Sequence, residues 1–173
     1  MTIDSAHPRP LRVCVTGAEC TGKTTLAEAL GARLSVPVIH ETVRDYFAEK
    51  ARRGDASVYA SDILHVVATQ AETEDRAPLG SPLLVLDTDV FTIAVWAQRY
   101  LTHRPTEIFE LAARRQRGSS CIDLYLLTAP DLPFEHDGVR GSHESRDQMH
   151  EVFAEELAHS GRRYVEVYGD VQA

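Results

Sequence analysis

The 173-residue chain is poor in lysine: only Lys23 and Lys50 stand among its 18 basic residues, and the rest are arginines. A lysine in such a chain marks a position where a compact point charge is wanted rather than a planar fork. Cysteine is scarce too. Cys14, Cys20 and Cys121 form no C-x-x-C pair, which excludes a disulfide framework and a zinc site and fits a reducing compartment. No run approaches a membrane span, and residues 1–10 lack the apolar core of a signal peptide, so the expectation is a cytoplasmic chain with a short flexible leader. Positive charge is in deficit as well: the formal net charge of −8 argues against broad contact with nucleic acid or anionic membrane. What remains, 43% hydrophobic and 25% charged residues, is the composition of one globular domain with its own core over 11–173.

The stretch "GAECTGKT", residues 17–24, fits G-x-x-x-x-G-K-[ST] at every fixed position. Gly17 and Gly22 let successive backbone N–H groups of the loop (Ala18, Glu19, Cys20, Thr21) turn inward on phosphate oxygens. Lys23 reaches the outer phosphates, Thr24 offers a hydroxyl to Mg²⁺, and Thr25 continues into the helix, whose N-terminal end adds partial positive charge. Flanks are the test of so short a motif. "LRVCVT" before it is an apolar, β-branched run, and Leu26, Leu30 and Leu34 follow at four-residue spacing. Strand, loop and helix are all readable, so the loop is expected to hold Mg-ATP. Cys20 sits where a helix N-terminus could acidify a thiol, although a variable loop position explains it as well.

The pattern continues as strands at 36–41, 83–87, 121–127 and 163–168. Helices are expected over 42–54, 57–76, 90–100, 106–117 and 145–159. Strands that alternate with helices and read as continuous apolar runs predict an α/β fold, a five-stranded parallel sheet with helices on both faces. Ligands then gather at the C-terminal ends of the strands. Those ends carry the phosphate loop, His40 and Glu41, the "DTD" of 87–89, the segment after residue 128, and "YGD".

Asp87 closes the apolar run "LLVLD", where a carboxylate orients Mg²⁺ or activates an acceptor hydroxyl, and it is the expected catalytic centre with Lys23. Asp89 and Glu41 add two further carboxylates that a hydroxyl-rich acceptor would satisfy. Asp89 is equally suited to cap the helix that begins near Val90. Arg44 lies one turn past Glu41 and faces the same pocket or forms a surface ion pair. "DGVRGSHESR" has glycines at 138 and 141 and carries Arg140 and Arg146. This describes a lid over about 134–147 whose arginines meet the phosphates, or else a polar surface loop. Tyr46, Phe91, Trp96, Tyr100 and Phe134 supply rings for an acceptor to stack on, or core; for Trp96 core is the simpler reading. The histidines show no metal-binding spacing.

Taken together, "GAECTGKTTLA", "HETVRDYF", "LDTDVFT" and "PDLPFEHDGVR" followed by "SR" resemble the ribosylnicotinamide kinase domain of NadR-type proteins, over Val13 to about Tyr168. The resemblance implies the P-loop fold of nucleoside and nucleotide kinases and transfer of the γ-phosphoryl group of ATP to the 5′-hydroxyl of nicotinamide riboside. It places Lys23 and Thr24 on phosphates and Mg²⁺. Glu41, Asp87 and Asp89 fall on metal, base and ribose, and Arg140 and Arg146 in the lid. Thr42 stands where the family commonly has an aromatic residue and Phe134 where it often has tryptophan. The adenylyltransferase domain of NadR-type proteins does not fit in 173 residues, and the sequence ends near where related kinases place an adenine-contacting loop. Two other readings stay open: a kinase of another nucleoside, nucleotide or polyol, and an ATP-binding regulatory module. No N-K-x-D guanine signature is present.

Overall fold

The computed structural model describes residues 9–78, 80–101, 103–132 and 143–169. Its elements run β1 (Leu11–Gly17), α1 (Lys23–Leu34), β2 (Val38–Ile39), α2 (Val43–Arg52), α3 (Ala60–Asp75), β3 (Leu83–Asp87), α4 (Val90–Ala97), α5 (Thr106–Gln116), β4 (Leu124–Thr128), α6 (His143–His159) and β5 (Tyr164–Val167). The strands form one sheet in the order β2-β3-β1-β4-β5, and every pairing is parallel. The expected fold class is therefore the observed one.

Alternation along the central strands sorts the core. Cys14, Leu84, Leu86, Tyr125 and Leu127 pack with α3, α4, α5 and α6, whereas Val15 and Val85 pack with Ala27 and the flanking Leu26 and Leu30 of α1. Gly31 lets α1 lie close to the sheet, because a Cβ there would come within 2.2 Å of Val38 Cγ2. Leu34, expected on the buried stripe, is 49% exposed, since the helix ends in a left-handed Ser35 (φ 54°) one residue later.

Where boundaries differ from the sequence reading, local hydrogen bonding gives the reason. The 36–41 strand shrinks to Val38–Ile39: Pro37 has no N–H to donate, its carbonyl accepts from Val85 N (3.1 Å), and His40 and Glu41 leave the edge. The helix expected to reach Tyr100 stops at Ala97. Gln98, Arg99 and Tyr100 donate to Val95, Trp96 and Ala97, tightening the chain into i→i−3 turns. Gly54 does end α2, at φ 86°. Among the described residues no helix is long and apolar enough to cross a membrane.

Candidate functional site

The register sets the site. Val15 pairs with Asp87 and Gly17 with Thr128, so the phosphate loop, the 87–89 segment and the start of the post-β4 loop emerge side by side at the C-terminal ends of the central strands. Gly17 (φ 138°) lies so close to β4 that a Cβ would meet Thr128 Oγ1 at 2.6 Å, and Gly22 (φ 78°) opens α1 beside Leu132. Both conformations favour glycine, which is the physical content of the motif. Buried threonines hold the loop in place. Thr128 Oγ1 donates to the Thr16 carbonyl (3.1 Å) and lies 2.6 Å from Thr21 Oγ1, and Thr16 Oγ1 is 2.9 Å from Thr92 Oγ1 on α4.

Lys23 donates to the Ala18 carbonyl of its own loop (2.5 Å). Burial lowers its pKa, and the charges of Glu41, Asp87 and Glu19 oppose that while Arg44 adds to it. Glu41, Asp87, Glu19 and Arg44 thus share one electrostatic neighbourhood with the phosphate-loop lysine. Glu41 and Arg44 approach to 3.8 Å, with the arginine 59% exposed. Glu19 also approaches Arg99, just past α4 (3.5 Å).

The two aspartates after β3 have different fates. Asp87 is 2% exposed, and its Oδ1 is buried with no hydrogen-bond partner among the described residues. Such an orphaned carboxylate oxygen is costly unless a cation or hydroxyl donor joins it. Together with the Thr24 hydroxyl, which makes no hydrogen bond among the described residues, it fits the donor set of a hard divalent cation that keeps several waters. Asp89, expected to cap the next helix as well as to face the acceptor, does cap it and is fully engaged. Its Oδ1 accepts from Thr92 N and Thr92 Oγ1 (both 2.8 Å), capping α4, and its Oδ2 accepts from Tyr125 (2.7 Å).

Other expectations resolve similarly. Arg146, expected in the lid on the phosphates, is 1% exposed and donates to the carbonyls of Pro130 (2.7 Å), Leu132 (2.8 Å) and Cys20 (3.5 Å), clamping the post-β4 loop to the phosphate loop. Tyr46 donates to Asp62 (2.6 Å) and packs on Phe47 and His65. Trp96 stacks on Tyr100 and meets Phe153 edge-on, and Phe91 is core. Arg140, Phe134 and most of the 134–147 lid lie outside the described residues, as do residues 1–8 of the leader.

Two features escaped the sequence. Gln70 of α3 is fully buried and bridges two strand ends: its Oε1 accepts from Thr42 N (3.3 Å) and Oγ1 (3.0 Å), and its Nε2 donates to the Thr88 carbonyl (3.3 Å). Thr88, between the aspartates, sits at φ 82°, a conformation strained for a β-branched residue. The apolar stripe Ile63, Val66, Val67 predicts a buried face that continues through position 70, and that was the available signal.

Solved structures with the same fold bear on this site. The NadR protein in complex with NR is 28% identical, with TM-score 0.68, the match covering 91% of this chain and 43% of that one. The NadR protein in complex with NAD and AMP-PNP is 25% identical, also with TM-score 0.68, covering 95% and 45%. The chain thus spans less than half the length of the NadR protein. Thymidylate kinase from Ehrlichia chaffeensis shares the fold at 14% identity and TM-score 0.62, covering 96% and 90%. No curated protein matches the sequence. Residues 12–173 match the family model described as AAA domain, and by that match the chain belongs to the AAA domain family.

Proposed function

We propose that the chain is an ATP-dependent small-molecule kinase whose acceptor is the 5′-hydroxyl of nicotinamide riboside, giving nicotinamide mononucleotide. The observation that carries the reading is the buried, unpartnered Oδ1 of Asp87 beside the phosphate loop. A carboxylate in that state serves either the metal that accompanies ATP or the proton of an attacking hydroxyl. The 28% identity to the NadR protein in complex with NR favours this acceptor.

The roles follow from position. Backbone N–H groups of 17–23 and the Lys23 ammonium bind the β- and γ-phosphates. Thr24 would hold Mg²⁺, with Asp87 orienting the ion through its water shell, and the ion would neutralise charge on the phosphates when bound. Glu41 and Arg44, at the mouth between β2 and α2, take the ribose hydroxyls. The acceptor oxygen forms a bond to the γ-phosphorus as the bond to the β–γ bridging oxygen breaks. ADP leaves, and the hydroxyl proton passes to a carboxylate, Asp87 by preference, and then to solvent. Arg140 is assigned the transferring phosphoryl group from its place in the sequence.

One observation favours a different nucleoside. Thr42 occupies the position where an aromatic residue would stack on the base, and its hydroxyl is committed to Gln70. The deciding experiment is ADP release from Mg-ATP with nicotinamide riboside and with a panel of other nucleosides. Stimulation by nicotinamide riboside of at least about tenfold over the nucleoside-free rate is expected. Preference for another nucleoside would replace the acceptor, and indifference to all of them with ATP still bound would favour a regulatory module.

A further inference from the structure

At the opposite end of β1 from the phosphate loop lies a cleft of about 290 Å³ bordered by Arg9, Arg12, Arg115, Asp75, Ser119 and Ser120. That volume is near the lower bound of small-ligand pockets, roughly 300 Å³. Four residues of extended chain lie between Arg12 and Gly17, which puts them roughly 16 Å apart at strand rise. The two places are physically distinct.

Not every arginine donor here finds a partner among the described residues. Arg9 clamps Asp123 through both terminal nitrogens (2.8 and 2.7 Å). Arg115 is shared between Asp75 (2.8 and 3.1 Å) and Glu74 (2.9 Å). Arg12 makes no hydrogen bond to a carboxylate among the described residues. It is 4% exposed, one nitrogen donates to the Glu74 carbonyl (3.1 Å), and its Nε and other terminal nitrogen are buried with no hydrogen-bond partner among the described residues. Arg115 Nε is in the same state. Burial lowers the Arg12 pKa and the charges of Glu74 and Asp75 offset that only in part, although arginine stays charged at neutral pH. Three arginines line the cleft, and Asp123, Asp75 and Glu74 are already committed to Arg9 and Arg115, so a compact oxyanion with several acceptor oxygens would join donors of Arg12 and Arg115 that have no partner among the described residues. Ser119, exposed on the turn after α5, adds a hydroxyl at the rim; the Ser120 hydroxyl is already donated to Asp75 (2.8 Å).

We propose that this cleft is a second anion site, which takes a phosphoryl group, either free phosphate or the phosphate of a small phosphomonoester, on Arg12 and Arg115. It stands whether or not the chain is a kinase.

The test reads the arginines directly. In the full chain labelled with ¹⁵N-arginine, the Nε–H signals of Arg12 and Arg115, identified with Arg12→Lys and Arg115→Lys, are followed while inorganic phosphate is titrated at fixed ionic strength against chloride. The two signals should shift saturably with phosphate and not with chloride, and Ser119→Asp, a surface change that keeps the fold, should weaken binding at least about tenfold through like-charge repulsion. Signals that stay still, that move equally with chloride, or that titrate unchanged in Ser119→Asp overturn the site. Glycerol phosphate in place of phosphate separates the sources: tighter binding assigns a phosphorylated metabolite, and equal or weaker binding assigns the free anion.

Discussion

Asp87 and Asp89 are two positions apart and carry the same group, yet only one has a free oxygen to offer. Asp87→Asn keeps shape and burial and removes the charge. It should lower kcat by about 10²–10⁴, the usual contribution of a positioned acid–base group, with the KM for ATP changed less than about threefold. Turnover within about twofold of wild type would remove Asp87 from the chemistry. Asp89→Asn should instead show in stability, because the Thr92 and Tyr125 hydroxyls lose a charged acceptor. A loss of about 1–2 kcal/mol reads as a Tm several degrees lower in calorimetry, at roughly 2–4 °C per kcal/mol for a chain of this size. Thr88 between them carries the strain. Thr88→Gly relieves φ 82° and should leave Tm level or higher while turnover falls, since the freed segment no longer fixes Asp87; a lower Tm with full turnover would refute a positioning role for the strain. The sequence made the "DTD" spacing legible but not the division of labour within it. Tyr125, which occupies Asp89, is 36 residues away and joins it only through the sheet.

Helix α3 shows what periodicity can and cannot say. Its apolar stripe made the helix legible, and the same stripe carries three polar residues inward: Asp62, Gln70 and Glu74 are all buried. Composition alone would turn them outward, and their partners lie on other elements. Asp62 accepts from Tyr46 and Lys50 of α2, Gln70 joins Thr42 to Thr88, and Glu74 Oε1 accepts from Val90 N at the start of α4 (3.1 Å). Burial, aided by the charge of Asp89, raises the Glu74 pKa from 4.5 to about 7. A carboxyl group whose folded pKa is raised holds its proton in the folded chain while the unfolded chain has lost it. Its contribution is therefore fully present below about 4.5 and declines as pH rises through about 7. Thermal unfolding of wild type and Glu74→Gln between pH 5 and 8 should accordingly show wild-type Tm falling relative to the variant as pH rises. Parallel curves would mean that Glu74 is ionised throughout and that Arg115 governs it. Gln70→Met, which keeps volume and removes both hydrogen bonds, should lower kcat more than it raises the KM for ATP, and Gln70→Glu, which retains only the acceptor, should restore part of that loss. Equal loss of Tm with no change in kcat would make Gln70 a packing residue only.

Across the whole molecule, the alternation of strands and helices was enough to place five strand ends around one site, because parallel strands connected by helices all end on the same side. The order β2-β3-β1-β4-β5 was not legible. It depends on which apolar runs pack between which helices, and the runs at 83–87 and 124–128 are alike in composition. Polarity along β1 also has a consequence for anions. The chain is acidic overall, with net charge −8, so its mean field repels ATP, and binding must come from local donors: the phosphate loop at one end of β1 and the arginine cleft at the other. Thermal shift separates the two. A ligand held only by the folded chain adds about 2.7 kcal/mol at a hundred times its Kd, or roughly 5–10 °C here. Mg–AMP-PNP should raise Tm by that amount in wild type and in Ser119→Asp, and by less than about 2 °C in Lys23→Met, where the phosphate loop loses its point charge. Should Lys23→Met keep the full shift and Ser119→Asp lose it, the nucleotide phosphates would be seated in the arginine cleft. The assignment of the phosphate loop as the ATP site would then fall, however well its glycines fit the motif.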